Sequence, residues 1–151
     1  MSVLATLQSN SGNLPLLVHV VGAMILVAGL VTGAAALFFA RGDAKLLRLG
    51  FWSLMLVAFP GWVIMRLGAE WIYTNEGWNK VQDKPRWLDI GLPLADAGGL
   101  VLVITLIIGG IGVRRLQAGK SSGLLKATLV LSVVLLAAYV VAVWAMAGKP
   151  N

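Results

Sequence analysis

Cysteine is absent from the 151 residues of this chain. That absence excludes structural disulfides, cysteine-ligated iron–sulfur clusters and thiolate catalysis together, and it says little about compartment. Histidine occurs once, as His19. A bis-histidine haem would therefore need Met65 or Met146 as its second axial ligand, or a second copy of the chain lending its own His19. Copper held by His19 with Met24, Met65 or Met146 lacks any clustered ligand spacing. No metal and no cofactor is expected. The signatures of hydrolysis are missing as well. There is no GxSxG, no HExxH and no glycine-rich phosphate loop, and Ser53 and Ser132 lie in apolar stretches without a neighbouring base. No catalytic residue is assigned, and an enzyme is not expected.

Charge is scarce, at 12% of residues, whereas 59% are hydrophobic. The hydrophobic residues fall into four long runs, 14–40, 46–72, 88–113 and 124–147. Each exceeds the roughly 20 residues that a helix needs to cross a hydrocarbon core. A backbone in lipid must satisfy its own hydrogen bonds, so each run is predicted to be a helix. The expected fold class is all-α, a four-transmembrane-helix bundle. Residues 1–151 then form a single integral membrane domain, because three short loops and two tails leave no room for a soluble one. Residues 1–13 contain no lysine or arginine, unlike the basic start of a signal peptide, so the first run is expected to be retained.

The net charge of +6 would suggest nucleic acid in a soluble protein. Here the basic residues lie in loops beside membrane helices, where topology and anionic headgroups account for them, and no nucleic acid is expected. Loop 41–48 holds Arg41, Lys45 and Arg48. Loop 114–126 holds Arg114, Arg115, Lys120 and Lys126. Loop 73–87 mixes Lys80, Lys84 and Arg86 with Glu76 and Asp83, and the tails add only Lys149. The excess of lysine and arginine in the first and third loops predicts that they face the cytoplasm, with loop 73–87 and both termini outside (N-out/C-out). Trp71, Trp78, Trp87 and Trp144 would then gather at the outer interface, where amphipathic rings settle.

Glycine supplies the packing signals. Gly29 and Gly33 form a GxxxG spacing that permits close backbone approach, read here as packing inside the bundle. Pro60, followed by Gly61, predicts a kink near the middle of the second helix. The third run, with Gly98, Gly99, Gly109, Gly110 and Gly112, reads as the thin helix against which others pack. The fourth reads as mainly structural.

Four ionisable residues interrupt the runs: His19, Arg66, Glu70 and Asp96. Each costs roughly 2.5–3.5 kcal/mol on insertion scales unless it is paired or reaches water. In the proposed topology all four fall at one level near the outer side. Trp62, Arg66 and Glu70 follow one another at fourfold spacing and share a helix face, so Arg66 can pair with Glu70 and stack on Trp62. Asp89 and Asp96, seven apart, share a face of the third helix, and turning the two faces together brings Asp96 to Arg66. Trp62, Asp89 and Tyr139 are supporting residues.

Two readings of the cluster stand. In one, an Arg–Asp pair between helices makes polar groups tolerable and fixes register, His19 bonds a neighbour and Glu70 snorkels to the interface. The protein is then a structural or accessory membrane subunit acting through helix association, with a membrane partner or a homo-oligomer. In the other, the cluster handles a proton, a cation or a small polar ligand in a transporter-like protein. Against a continuous path, the half nearer the basic loops is bare apart from Thr32, Ser53 and Thr105. No inverted repeat relates the two halves.

The opening of the first helix, His19-Val-Val-Gly22-Ala, followed by small residues, resembles bacterial four-helix membrane proteins of the DUF2269 type, which are distantly similar to the CopD family. Arg66-Leu-Gly-Ala-Glu70-Trp, Trp87-Leu-Asp89-Ile-Gly and Val143-Trp-Ala-Met-Ala-Gly-Lys149-Pro are similar to segments of small actinobacterial membrane proteins. The resemblance implies a four-helix multi-pass layout in the bacterial inner (plasma) membrane and brings no activity with it.

Overall fold

A computed structural model describes residues 10–80, 83 and 86–148, with side chains from 14 to 146 except at 79, 81, 82, 84, 85 and 87. The side chains of Lys84, Trp87 and Lys149, used above for charge and aromatic counts, lie outside the described residues. Four long helices carry the described chain: α1, Asn10–Phe39; α2, Ala44–Asn75; α3, Arg86–Gln117; and α4, Gly123–Gly148. A short 3₁₀ turn, Trp78–Lys80, follows α2. All four are long and apolar enough to cross a membrane, as expected for a multi-pass membrane protein.

The helices overrun the apolar runs at nearly every end because hydrogen bonding does not stop where hydrophobicity does. Asp43 caps α2, its carboxylate accepting the Lys45 N–H at 2.8 Å, which starts the helix two residues before the apolar run. At the other end α2 continues to Asn75, where Gly77 turns into the left-handed region at φ 73°. Gly119, at φ 71°, closes α3 in the same way.

The expected disturbance at Pro60 is present as a π turn. Leu54–Ala58 are π-helical, and the Phe59 N–H donates to the Leu54 carbonyl, one residue wider than in an α-helix. Proline at 60 has no N–H for the usual bond, and its ring crowds the carbonyl four residues back. Widening the preceding turn accommodates both effects.

Packing is strongest within two antiparallel hairpins, α1 with α2 and α3 with α4. Along the first, every level sets a glycine or alanine against its partner: His19 over Gly68, Gly22 against Met65, Leu26 over Gly61, Gly29 against Ala58, Gly33 against Leu54 and Leu37 over Gly50. A β-carbon on Gly22 or Gly29 would press into the backbone of α2 itself. The GxxxG pair therefore faces inward, as expected, within a longer ladder. In the second hairpin, Gly98 faces Tyr139, Gly109 faces Thr128 and Gly112 faces Leu125. The glycines of α3 also receive side chains of α2, Trp62 at Gly99 and Phe51 at Gly109, so the thin-helix reading holds on both sides.

Between hairpins lies a core that includes Leu26, Leu30, Leu54, Leu102, Leu125 and Leu135. Thr105, Thr128 and Ser132 are buried in it, and each hydroxyl donates to the carbonyl four residues back, at 2.7, 2.9 and 2.8 Å. That satisfies the donor and leaves no partner reaching for a neighbouring helix. Outer-facing residues such as Met24, Leu67, Leu100 and Val130 are exposed and apolar, as a lipid-facing surface requires.

Candidate functional site

The polar cluster forms at the end of the bundle opposite the basic loops. His19 is nine residues after the start of α1, Arg66 nine before the end of α2 and Asp96 ten after the start of α3. At 1.5 Å per residue, each lies about 14–15 Å from its helix end, at a common level.

Arg66 is the hub. Its Nε donates to Asp96 Oδ1 at 2.7 Å, and one terminal nitrogen donates to Glu70 Oε2 at 2.9 Å. Arg66 is 28% exposed, whereas Glu70 and Asp96 are 56% and 57% exposed. The guanidinium is therefore tucked under two carboxylates that look outward. The Glu70 contact follows from one turn of helical spacing. The Asp96 contact joins the two hairpins.

Trp62, one turn before Arg66, also joins them, through its indole. Its Nε1–H donates to the Ala95 carbonyl at 3.0 Å, and its ring lies over Gly99, where any β-carbon would collide with it. The ring stacks nearly parallel to Phe59, with centroids 6.2 Å apart. The ring thus engages Phe59 and α3, and the expected Arg66 stacking gives way to this arrangement. Ala95 and Asp96 are consecutive, so α2 grips adjacent residues of α3 by a neutral and an ionic hydrogen bond.

His19 works on the other side of α2. Its Nδ1 lies 2.9 Å from the Met65 carbonyl, a geometry in which a protonated Nδ1 donates. Gly68 lies against the backbone and β-carbon of His19, and a β-carbon there would meet the α1 backbone. His19 therefore ties α1 to α2 beside the ion network, with Met65 rather than Arg66 as its partner. Ser53 makes a similar link further along, its hydroxyl donating to the Gly29 carbonyl at 3.1 Å.

Two supporting residues lie apart. Asp89 is exposed in the first turn of α3, where its charge complements the helix N-terminus, and it forms no ion pair among the described residues. Tyr139 is only 3% exposed and packs on Gly98, and its hydroxyl is the one buried side-chain polar atom without a partner among the described residues. Beside it, an apolar groove of about 300 Å³ runs between α3 and α4, lined by residues including Pro93, Ala97, Gly98, Val134 and Ala138.

The arrangement offers hydrogen bonding and charge, without an activated nucleophile. Among the described residues no three histidine or carboxylate side chains converge as metal ligands. Sequence reasoning brought Arg66, Glu70 and Asp96 together correctly and missed the two backbone acceptors, Met65 and Ala95. The available signal was glycine: Gly68 clears space for His19 and Gly99 for Trp62. Trp71 and Trp144 are exposed near this end, in keeping with an aromatic belt. Comparison with family models, with curated proteins and with solved structures finds no match to the chain.

Proposed function

We propose that the protein is a structural or accessory membrane component, acting by association of its helix bundle with a partner membrane protein or with further copies of itself. In this reading it is a multi-pass protein of the plasma membrane, with loops 41–48 and 114–126 in the cytoplasm and loop 73–87 outside. One observation carries the proposal. The polar side chains at membrane depth are engaged in fastening one helix to the next: His19 joins α1 to α2, while Arg66 and Trp62 join α2 to α3. A cluster that fastens helices serves the scaffold, and a scaffold without a catalytic constellation acts through what it binds.

A second reading, a transporter-like binder of a proton, a cation or a small polar ligand, draws on the unpartnered Tyr139 hydroxyl and the half-exposed carboxylates of Glu70 and Asp96. A double-mutant cycle in stability between Arg66→Gln and Asp96→Asn separates the two. The scaffold reading expects positive coupling and lowered stability in each single variant. Asp96→Asn with wild-type stability and a lost pH-linked flux in proteoliposomes would instead establish the second.

A further inference from the structure

The α2–α3 seam contains an asymmetry that the polar cluster does not explain. Its register is set by Arg66 with Asp96, by Trp62 over Gly99 and, beyond the π turn, by Phe51 against Gly109 and Gly110. Arg48 precedes Arg66 by eighteen residues, and Arg114 follows Asp96 by eighteen. Eighteen residues make about five α-helical turns, which puts Arg114 on the face of Asp96. In α2 the π turn lies between Arg48 and Arg66, so the Phe51 contact gives the face there instead. Phe51 against Gly109 and Gly110 sets the pairing level beyond the π turn, and Arg48 is one turn before Phe51 and Arg114 one turn past Gly110. Arg48 and Arg114 are therefore to one end of the seam what Arg66 and Asp96 are to the other. Where the cluster sets cation against anion, the basic end sets cation against cation.

Both arginines are exposed, and neither has an ion pair among the described residues. Their surroundings are strongly cationic. Arg41, Lys45, Arg115, Lys120 and Lys126 are all at this end and all exposed. The single carboxylate here, Asp43, caps α2 and is outnumbered by the cations around it. The depth is also informative. Eighteen residues span about 27 Å, close to the roughly 30 Å of a hydrocarbon core. With the Arg66 level near one boundary, the Arg48–Arg114 level reaches the other, where phosphate groups lie. Below the arginines the same flank is apolar and open, with Trp52 and Ile111 each about half exposed.

We propose that Arg48 and Arg114 form a clamp for the phosphate of an anionic phospholipid, seated at the α2–α3 seam with its acyl chains along Trp52 and Ile111. Two guanidiniums facing one phosphate supply forked, charge-assisted hydrogen bonds and relieve their mutual repulsion. The lipid takes the place that Asp96 holds at the other end of the seam, so the hairpins are fastened at one level by a side chain and at the other by the membrane.

The test is the unfolding temperature of the full chain in nanodiscs of phosphatidylcholine, with and without phosphatidylglycerol. Phosphatidylglycerol is expected to raise the midpoint of the wild type. Arg48→Gln and Arg114→Gln should each lose most of that rise, while the double variant Lys120→Gln, Lys126→Gln keeps it. Arg114→Asp recreates the cation–anion pair and should unfold at a higher temperature in phosphatidylcholine alone, without responding to the anionic lipid. An equal rise in every variant would reduce the effect to diffuse charge and overturn the clamp. A rise reproduced in phosphatidylcholine discs by soluble glycerol phosphate would overturn the assignment to lipid.

Discussion

Replacing Gly29 by alanine adds one methyl group, and the structure indicates what it meets. The new carbon would lie 2.7 Å from the Ala58 α-carbon and 2.9 Å from its β-carbon, where van der Waals contact needs about 3.5–4.0 Å. Backbone cannot swing aside as a side chain does, so α1 and α2 must separate by about 1 Å over that turn. Overpacking of this kind costs about 1–3 kcal/mol. Alanine in place of glycine returns about 0.5–1 kcal/mol of helix stability, which leaves a net loss of up to about 2.5 kcal/mol. Gly110 is the control. A methyl group there would meet only the Phe51 ring, at 3.6 Å, an ordinary contact. Gly110→Ala should therefore gain about 0.5–1 kcal/mol. Reversible unfolding of the two variants in mixed micelles, followed by circular dichroism, should separate them by about 1–3 kcal/mol, with Gly29→Ala the less stable. Equal shifts, or a stabilised Gly29→Ala, would refute the ladder of glycine contacts between α1 and α2.

Three further outcomes are expected. The Arg66–Asp96 cycle should show a coupling of about 0.5–1.7 kcal/mol, the range of polar pairs measured between membrane helices, and no coupling would remove the ionic link between hairpins. Tyr139→Phe deletes a buried hydroxyl that has no partner, so it should be neutral or stabilising by up to about 1 kcal/mol in the same assay. A loss larger than that would show that the hydroxyl has a partner in the membrane. Trp62→Phe keeps a ring over Gly99 and leaves the Ala95 carbonyl without its donor, so it should cost about 1 kcal/mol, with an unchanged far-ultraviolet circular dichroism spectrum as the check that the fold is intact.

Periodic spacing made part of this site readable before any coordinates. Arg66 and Glu70 are one turn apart, and Asp96 is the acid at matching depth, so hydropathy and helix geometry sufficed to assemble the network. The partners of His19 and Trp62 were hidden for a physical reason. Both are backbone carbonyls, which every residue carries, so residue type does not mark Met65 or Ala95 as acceptors. The π turn was anticipated as a kink because Pro60 announces a missing donor, while the way α2 absorbs the loss depends on Leu54 packing against Gly33. Helix ends ran past the apolar runs because Asp43, Gly77 and Gly119 terminate helices by capping and turn geometry, which hydropathy does not register. The glycine ladder lay in plain view at 22, 29, 61 and 68, and became meaningful only once α1 and α2 were known to be neighbours in one register.

The α1–α2 and α2–α3 seams differ in kind, and the difference sets an order of mechanical failure. Within the first hairpin, backbones meet directly over glycine, and separating α1 from α2 means losing contact along the whole length at once. Between α2 and α3, near the polar cluster, the backbones stand further apart and are bridged by individual side chains, Trp62 and Arg66. Under a lateral pull, such a seam opens one bridge at a time, as a zip does. At the level of the polar cluster α2 should therefore part from α3 before α1 and α2 separate, while the packing of α1 on α4 still holds the hairpins together.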